Sequence, residues 1–79
     1  MQMHEYLVQV RLKRGMILSD VLRVHTERFG HAEAWLNLPV LSRIEAGKVA
    51  NPQFRTVVGV AHAYGVSLED LARFYLPRK

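Results

Sequence analysis

The 79 residues, 49% of them hydrophobic, give room for one domain with one packed core and are unlike a disordered chain. The chain has no cysteine, which excludes disulfide staples, thiolate metal sites and thiol nucleophiles, so a core this small must rest on helix packing or self-association. Eleven Lys and Arg against seven Asp and Glu leave a net charge of +4, which suits a polyanionic partner. With no apolar run of about 18 residues and no basic-then-apolar leader, the chain reads as soluble and cytoplasmic, with no membrane partner.

Strand signals are nearly absent, whereas apolar residues recur at helical spacing throughout, so the expected fold is all-α. Met3, Tyr6, Leu7 and Val10 mark the apolar face of a first helix over about 3–14, which Gly15 terminates. Ile17, Val21 and Val24 continue on one face of a second helix, with Ser19 and Asp20 near its start and Phe29-Gly30 at its end. The stretch from His31 to Leu36 reads as a short helix or a helical turn. Asn37 has the form of an N-cap, with Pro39 in the first turn of a third helix over about 38–46 that buries Leu41 and Ile44. Residues 47–52 form a loop closed by Asn51-Pro52. Phe54, Val57, Val58, Ala61 and Tyr64 then fall at helical spacing and Gly65 ends the fourth helix. Ser67 with Asp70 resembles a capping box opening a fifth helix whose core stripe is Leu68, Leu71, Ala72 and Tyr75. Pro77, Arg78 and Lys79 make a basic tail. No internal repeat or linker divides the chain, so a single domain over 1–79 is expected.

The run Leu41-Ser42-Arg43-Ile44-Glu45-Ala46-Gly47-Lys48, followed by Asn51-Pro52 and by Ala61-His62-Ala63-Tyr64-Gly65-Val66-Ser67-Leu68-Glu69-Asp70-Leu71, resembles the lambda-repressor-like (Cro/cI, XRE-type) helix-turn-helix family over roughly residues 37–75. Arg11 to Gly15, Met16 and Val21 are similar to that family's first helix and the start of its second. The resemblance implies five helices in one domain, the third of them a recognition helix in the DNA major groove. It makes Asn37, Leu38, Pro39, Val40, Ser42 and Arg43 the residues facing DNA. Arg43 is then the candidate for guanine O6 and N7, Ser42 for a base or phosphate, and Val40 for a thymine methyl. It places Lys48, Asn51, Gln53, Arg55 and Thr56 against the phosphate backbone, where helix-start amides and nearby cations attract anions. It further implies that Glu45 pairs with Arg11 as a structural ion pair rather than serving as a catalytic carboxylate.

Two departures from the family pattern stand out. About nine extra residues separate Val21 from Leu41, so the region between the second and third helices is extended. Leu18, Leu38, Pro39 and Val40 occupy helix starts that are often polar in the family, and an apolar recognition surface reads fewer hydrogen-bonding base edges.

His4, His25, His31 and His62 are not spaced as zinc ligands, and no metal or cofactor is expected. No nucleophile, base and orienting group come together, so enzyme activity is not expected either. Trp35, Phe74 and Leu76 are candidate dimer contacts, and a homodimer would set two recognition helices on adjacent half-sites. Lys13, Arg14, Arg23 and Arg28 either extend a basic surface or sit on solvated helix faces. The leading expectation is a sequence-specific regulator of double-stranded DNA, a repressor or an antitoxin-like autoregulator. The alternative is a protein-interaction module docking through Leu38, Val40 and Trp35; convergence of Arg43, Lys48 and Arg55 on one face favours DNA.

Overall fold

The computed structural model describes residues 1–30 and 36–76, and among these the chain forms five helices and no strand: α1 (Met3–Lys13), α2 (Leu18–Phe29), α3 (Leu38–Glu45), α4 (Phe54–Tyr64) and α5 (Leu68–Ala72). Every start except that of α4 is secured by a short side chain or carboxylate that takes up an otherwise unpaired amide. The Gln2 N–H donates to Glu5 at 2.8 Å and the Ile17 N–H to Asp20 at 3.0 Å. Asn37 Oδ1 accepts from the Val40 amide, and Ser67 Oγ from the Asp70 amide, both at 3.0 Å.

Gly65 lies in the left-handed region at φ 68°, which lets the Val66 N–H return to the Ala61 carbonyl at 2.9 Å. A Cβ there would also push aside the end of the flexible Arg14 side chain, whose guanidinium donates to the Tyr64 carbonyl at 2.6 Å and so links the end of α1 to the end of α4.

The core is built from Leu7, Val21, Leu36, Leu41, Ile44, Val60, Ala61, Ala63, Tyr64 and Leu71, drawn from all five helices and the residue pair before α3. α2 lies against both α3 and α4, while α1 packs on α3 and α4. Helix α3 is thus held from behind by two helices, with its opposite face open. No helix among the described residues is long and apolar enough to cross a membrane.

Three expectations about buried faces are corrected. On α2 the buried stripe is Leu18, Val21, Leu22 and His25, spaced i, i+3, i+4, i+7; Ile17 is the exposed N-cap residue and Val24 faces outward. An imidazole thus fills the position expected of an apolar residue, His25 being only 1% exposed. Phe54, expected in the apolar row of α4, is 75% exposed because it is the first residue of that helix and precedes the turn that meets the core.

α5 is only five residues long, and of its expected stripe just Leu71 is buried, with Leu68 and Tyr75 nearly half exposed and Ala72 exposed. Beyond Ala72 the chain tightens into turns, with the Phe74 N–H on the Leu71 carbonyl at 3.1 Å. That turn brings Phe74, a candidate dimer contact, back onto α1, its ring centroid 5.5 Å from that of Tyr6, so Phe74 is half-buried within its own domain. The region between α2 and α3 is extended, as expected, with eight residues (30–37) joining them. Trp35 and the helical turn read over 31–35 lie outside the described residues, as does the basic tail 77–79.

These placements separate two large apolar residues that the sequence pattern treats alike. Leu7→Ala is expected to destabilise the domain by about 2–5 kcal/mol, as for a fully buried leucine, and Phe54→Ala by less than about 0.5 kcal/mol. Urea unfolding followed by helical circular dichroism measures both.

Candidate nucleic-acid interface

The orientation of α3 is set by a charged cluster behind it. Arg11 on α1 grips Glu45, the last residue of α3, with a two-pronged contact: Nε to Oε2 at 2.8 Å and Nη2 to Oε1 at 2.9 Å. The third arm of the guanidinium donates to the Met16 carbonyl at 3.0 Å, fixing the turn between α1 and α2. Tyr64 at the end of α4 donates its hydroxyl to Glu45 Oε2 at 2.5 Å. One carboxylate, 8% exposed, therefore ties α1, α3 and α4 together. The expected Arg11–Glu45 pair is present in the geometry. The Tyr64 hydroxyl is a third member that helical spacing alone does not reveal, since that spacing marks Tyr64 only as apolar core.

Burial first, and then the hydrogen bond to Glu45, push the Tyr64 hydroxyl pKa well above its ordinary value. The hydrogen bond to Glu45 also raises that of Arg11, against a smaller lowering by burial, so the guanidinium stays charged.

On its open side α3 presents Leu38, Pro39, Ser42 and Arg43, all exposed, with Leu38 40% accessible. Val40 is half-buried, its side chain packed against the core while still bordering the surface. An open groove is lined by Val40 and Arg43 from α3 and by Asn51, Gln53 and Thr56 from the approach to α4, together with Ile44, Val49 and Pro52. Five of the residues expected to contact DNA thus meet in one place, although they come from two helices and a loop. Lys48 and Arg55 are exposed in the loop and on the first turn of α4, outside the groove lining. Asn37 is exposed at the start of α3, with Oδ1 committed to the cap.

The charge of this region is one-sided. Between Asn37 and Tyr64 the sequence holds Arg43, Lys48 and Arg55 but a single acid, Glu45, which is turned back onto Arg11 and Tyr64. No carboxylate lines the groove. The helix starts also differ. Neither first turn holds an acid, but at α3 Pro39 has no N–H and the Val40 N–H is taken by Asn37, whereas α4 opens on Gln53, Phe54 and Arg55 with no side chain capping its amides. The start of α4 is therefore the better anion seat, by its dipole and by the Arg55 side chain.

Three other basic residues are engaged elsewhere. Arg14 caps α4, Arg23 pairs along α2 with Asp20 at 3.3 Å and Glu27 at 3.8 Å, and Arg73 lies 5.0 Å above the Tyr6 ring and 4.9 Å from that of Phe74. Among the described residues no group of three His, Asp or Glu side chains could hold a metal ion.

Over 71 residues, 90% of its length, the chain is 31% identical to a protein of Deinococcus deserti named HTH-type transcriptional regulator DdrOP3. It spans 47% of that relative's length. The likeness, together with five helices and an exposed third helix, supports a helix-turn-helix family. No family model and no solved structure matches the chain.

The cluster behind α3 has a pH signature. The folded-state pKa of Tyr64 is raised, so its contribution to stability is fully present below its ordinary value of about 10 and is lost as pH climbs above that value. Stability is expected to fall above about pH 10 by up to about 1.4 kcal/mol per pH unit for this one group, with Tyr75, raised by burial, acting in the same direction. Urea midpoints between pH 8 and 11.5 should decline less steeply in Tyr64→Phe than in the parent. At pH 8 that variant should be weaker by about 1.5–3 kcal/mol for the lost bond to a carboxylate.

Proposed function

We propose that this chain is a sequence-specific double-stranded-DNA-binding regulator of transcription, acting in the cytoplasm as a repressor or antitoxin-like autoregulator, with α3 in the major groove. The observation that carries this reading is the carboxylate-free groove in which Arg43 of α3 sits beside Asn51, Gln53 and Thr56 at the approach to α4. A duplex laid along it would meet Arg43 and Ser42 at base edges, with Lys48, Arg55 and the α4 amides on phosphates. The relative's printed name, a helix-turn-helix transcriptional regulator, supports the same reading. No cofactor or enzymatic step enters it.

A helix of eight residues reaches few base pairs, so a homodimer on two half-sites is part of the proposal. A second, apolar groove adjoins the first and shares Pro52 with it; Phe54, Val57, Leu68, Ala72, Tyr75 and Leu76 complete its lining. It carries no charged side chain, and Phe54 and Leu76 protrude beside it. Leu76 is thus available as a dimer contact, whereas Phe74 is largely engaged with Tyr6. This apolar groove is also what favours a protein partner as the second reading, since covering it with another protein would remove from water Phe54, the most exposed aromatic among the described residues.

Binding to duplex fragments from the chain's own upstream region, measured across 50–300 mM salt, tests the assignment. The parent is expected to prefer one fragment. Arg43→Ala should reduce that preference, by about 1–3 kcal/mol at the guanine position, while Lys48→Ala should weaken all fragments evenly and flatten the salt slope by about one counterion. Weak binding equal on every fragment and abolished by moderate salt would remove sequence-specific recognition and leave the protein-partner reading.

A further inference from the structure

We infer that α3 reads its DNA site mainly through the methyl group on pyrimidine C5, supplied by thymine in unmodified DNA, with Arg43 as the principal hydrogen-bonding base contact. This rests on the proposal that α3 enters the major groove, and names what it recognises there.

The inference starts from what the first turn of α3 lacks. Its outward residues are Leu38 and Pro39, which have carbon side chains, and Val40 brings another to the groove edge. The one amide side chain at this end, Asn37, has its Oδ1 bound to the Val40 N–H at 3.0 Å. The paired donor and acceptor that would recognise adenine N6 and N7 is therefore broken. Polar groups return only one turn later, with Ser42 and Arg43.

Among the groups that the bases present in the major groove, the thymine methyl is the one sizeable apolar one, cytosine offering only a C–H at the same position. Carbon pressed against guanine O6 or the cytosine amino group strips those atoms of water and returns no partner, whereas carbon against a methyl removes apolar surface from water on both sides. Leu38 and Pro39 thus favour thymine over unmodified cytosine at the same step. Charge complementarity supplies the rest: Arg43 lines an acid-free groove, and Lys48 and Arg55 are exposed on the loop and helix that form its other side, so duplex DNA can be held close enough for short-range apolar contact.

The test selects sites from a random 25-base-pair duplex pool and then rebuilds the best site with single-atom-group changes. Thymines beside a G·C pair are expected in the selected site. Replacing one such thymine with deoxyuridine, which removes only the methyl, should weaken binding about fourfold, and replacing two should weaken it tenfold or more. Leu38→Ala should lose most of the thymine-to-deoxyuridine difference, while Arg43→Ala should bind more weakly yet keep it. Placing 5-methylcytosine at the same position should bind tighter than cytosine, identifying the methyl itself rather than thymine O4 as the feature read. Equal affinity for thymine and deoxyuridine duplexes, with Arg43→Ala still abolishing preference, overturns the inference and leaves sequence-specific DNA binding standing. Failure to enrich any site overturns both.

Discussion

The contact on which the rest of this structure depends is the grip of Arg11 on Glu45, shared with the Tyr64 hydroxyl. α3 has only eight residues and two fully buried side chains, Leu41 and Ile44, which is little to fix its rotation about its own axis. A carboxylate at its last residue, held by α1 through two parallel bonds and by α4 through a third, supplies that missing constraint. The desolvation of Glu45 and Arg11 is offset by near-complete hydrogen bonding: Arg11 also satisfies Met16, and Glu45 accepts from both partners. Such a cluster adds modest net stability when intact, but its loss in part leaves a buried charge without a partner, so it acts chiefly to make one arrangement of α1, α3 and α4 better than its neighbours.

The same contact has an electrostatic consequence on the opposite side of α3. Glu45 is the single acid between Asn37 and Tyr64, and a free carboxylate there would sit one turn from Ser42 and close to the groove that Arg43 borders. Neutralised against Arg11 and turned inward, it leaves the open surface with Arg43, Lys48 and Arg55 unopposed. Orientation and charge are therefore one device: the ion pair that points α3 outward also keeps negative charge off the face it presents. The start of α4 complements this. Its amides and Arg55 favour an anion, while the start of α3, closed by Asn37 and Pro39, presents carbon. Positioning and reading fall to different helices in consequence.

Much of this was legible in the chain. Apolar residues at three-and-four spacing, glycines at helix ends and short polar caps locate the first four helices and the start of the fifth to within a residue or two, because these signals are carried by local periodicity and capping. The Arg11–Glu45 pair was legible through family resemblance, not through spacing, since its members lie 34 residues apart. What local patterns cannot resolve is which of two adjacent apolar stripes turns inward. On α2 the reading through Ile17, Val21 and Val24 misses His25, because a buried imidazole does not register as apolar. At Phe54 the pattern cannot tell the first residue of a helix from one a turn further in, where the neighbouring helix begins. At α5 a turn, not a longer helix, returns Phe74 to Tyr6, and that contact depends on where α1 already lies.

By itself the sequence determined the helical class, the helix ends, the absence of thiol chemistry and a basic, nearly acid-free stretch from Asn37 to Tyr64, all properties carried by neighbours along the chain. Only the tertiary structure decided that Tyr64 completes the Arg11–Glu45 pair, that Val40, Arg43, Asn51, Gln53 and Thr56 share one groove, and that Phe54 and Leu76 border another. The physical reason is the same in each case: these are contacts between helices, set by how five short rods share a core too small to cover them all. Local propensity ends where a helix ends, and the choice of which side chains meet across the gaps belongs to packing.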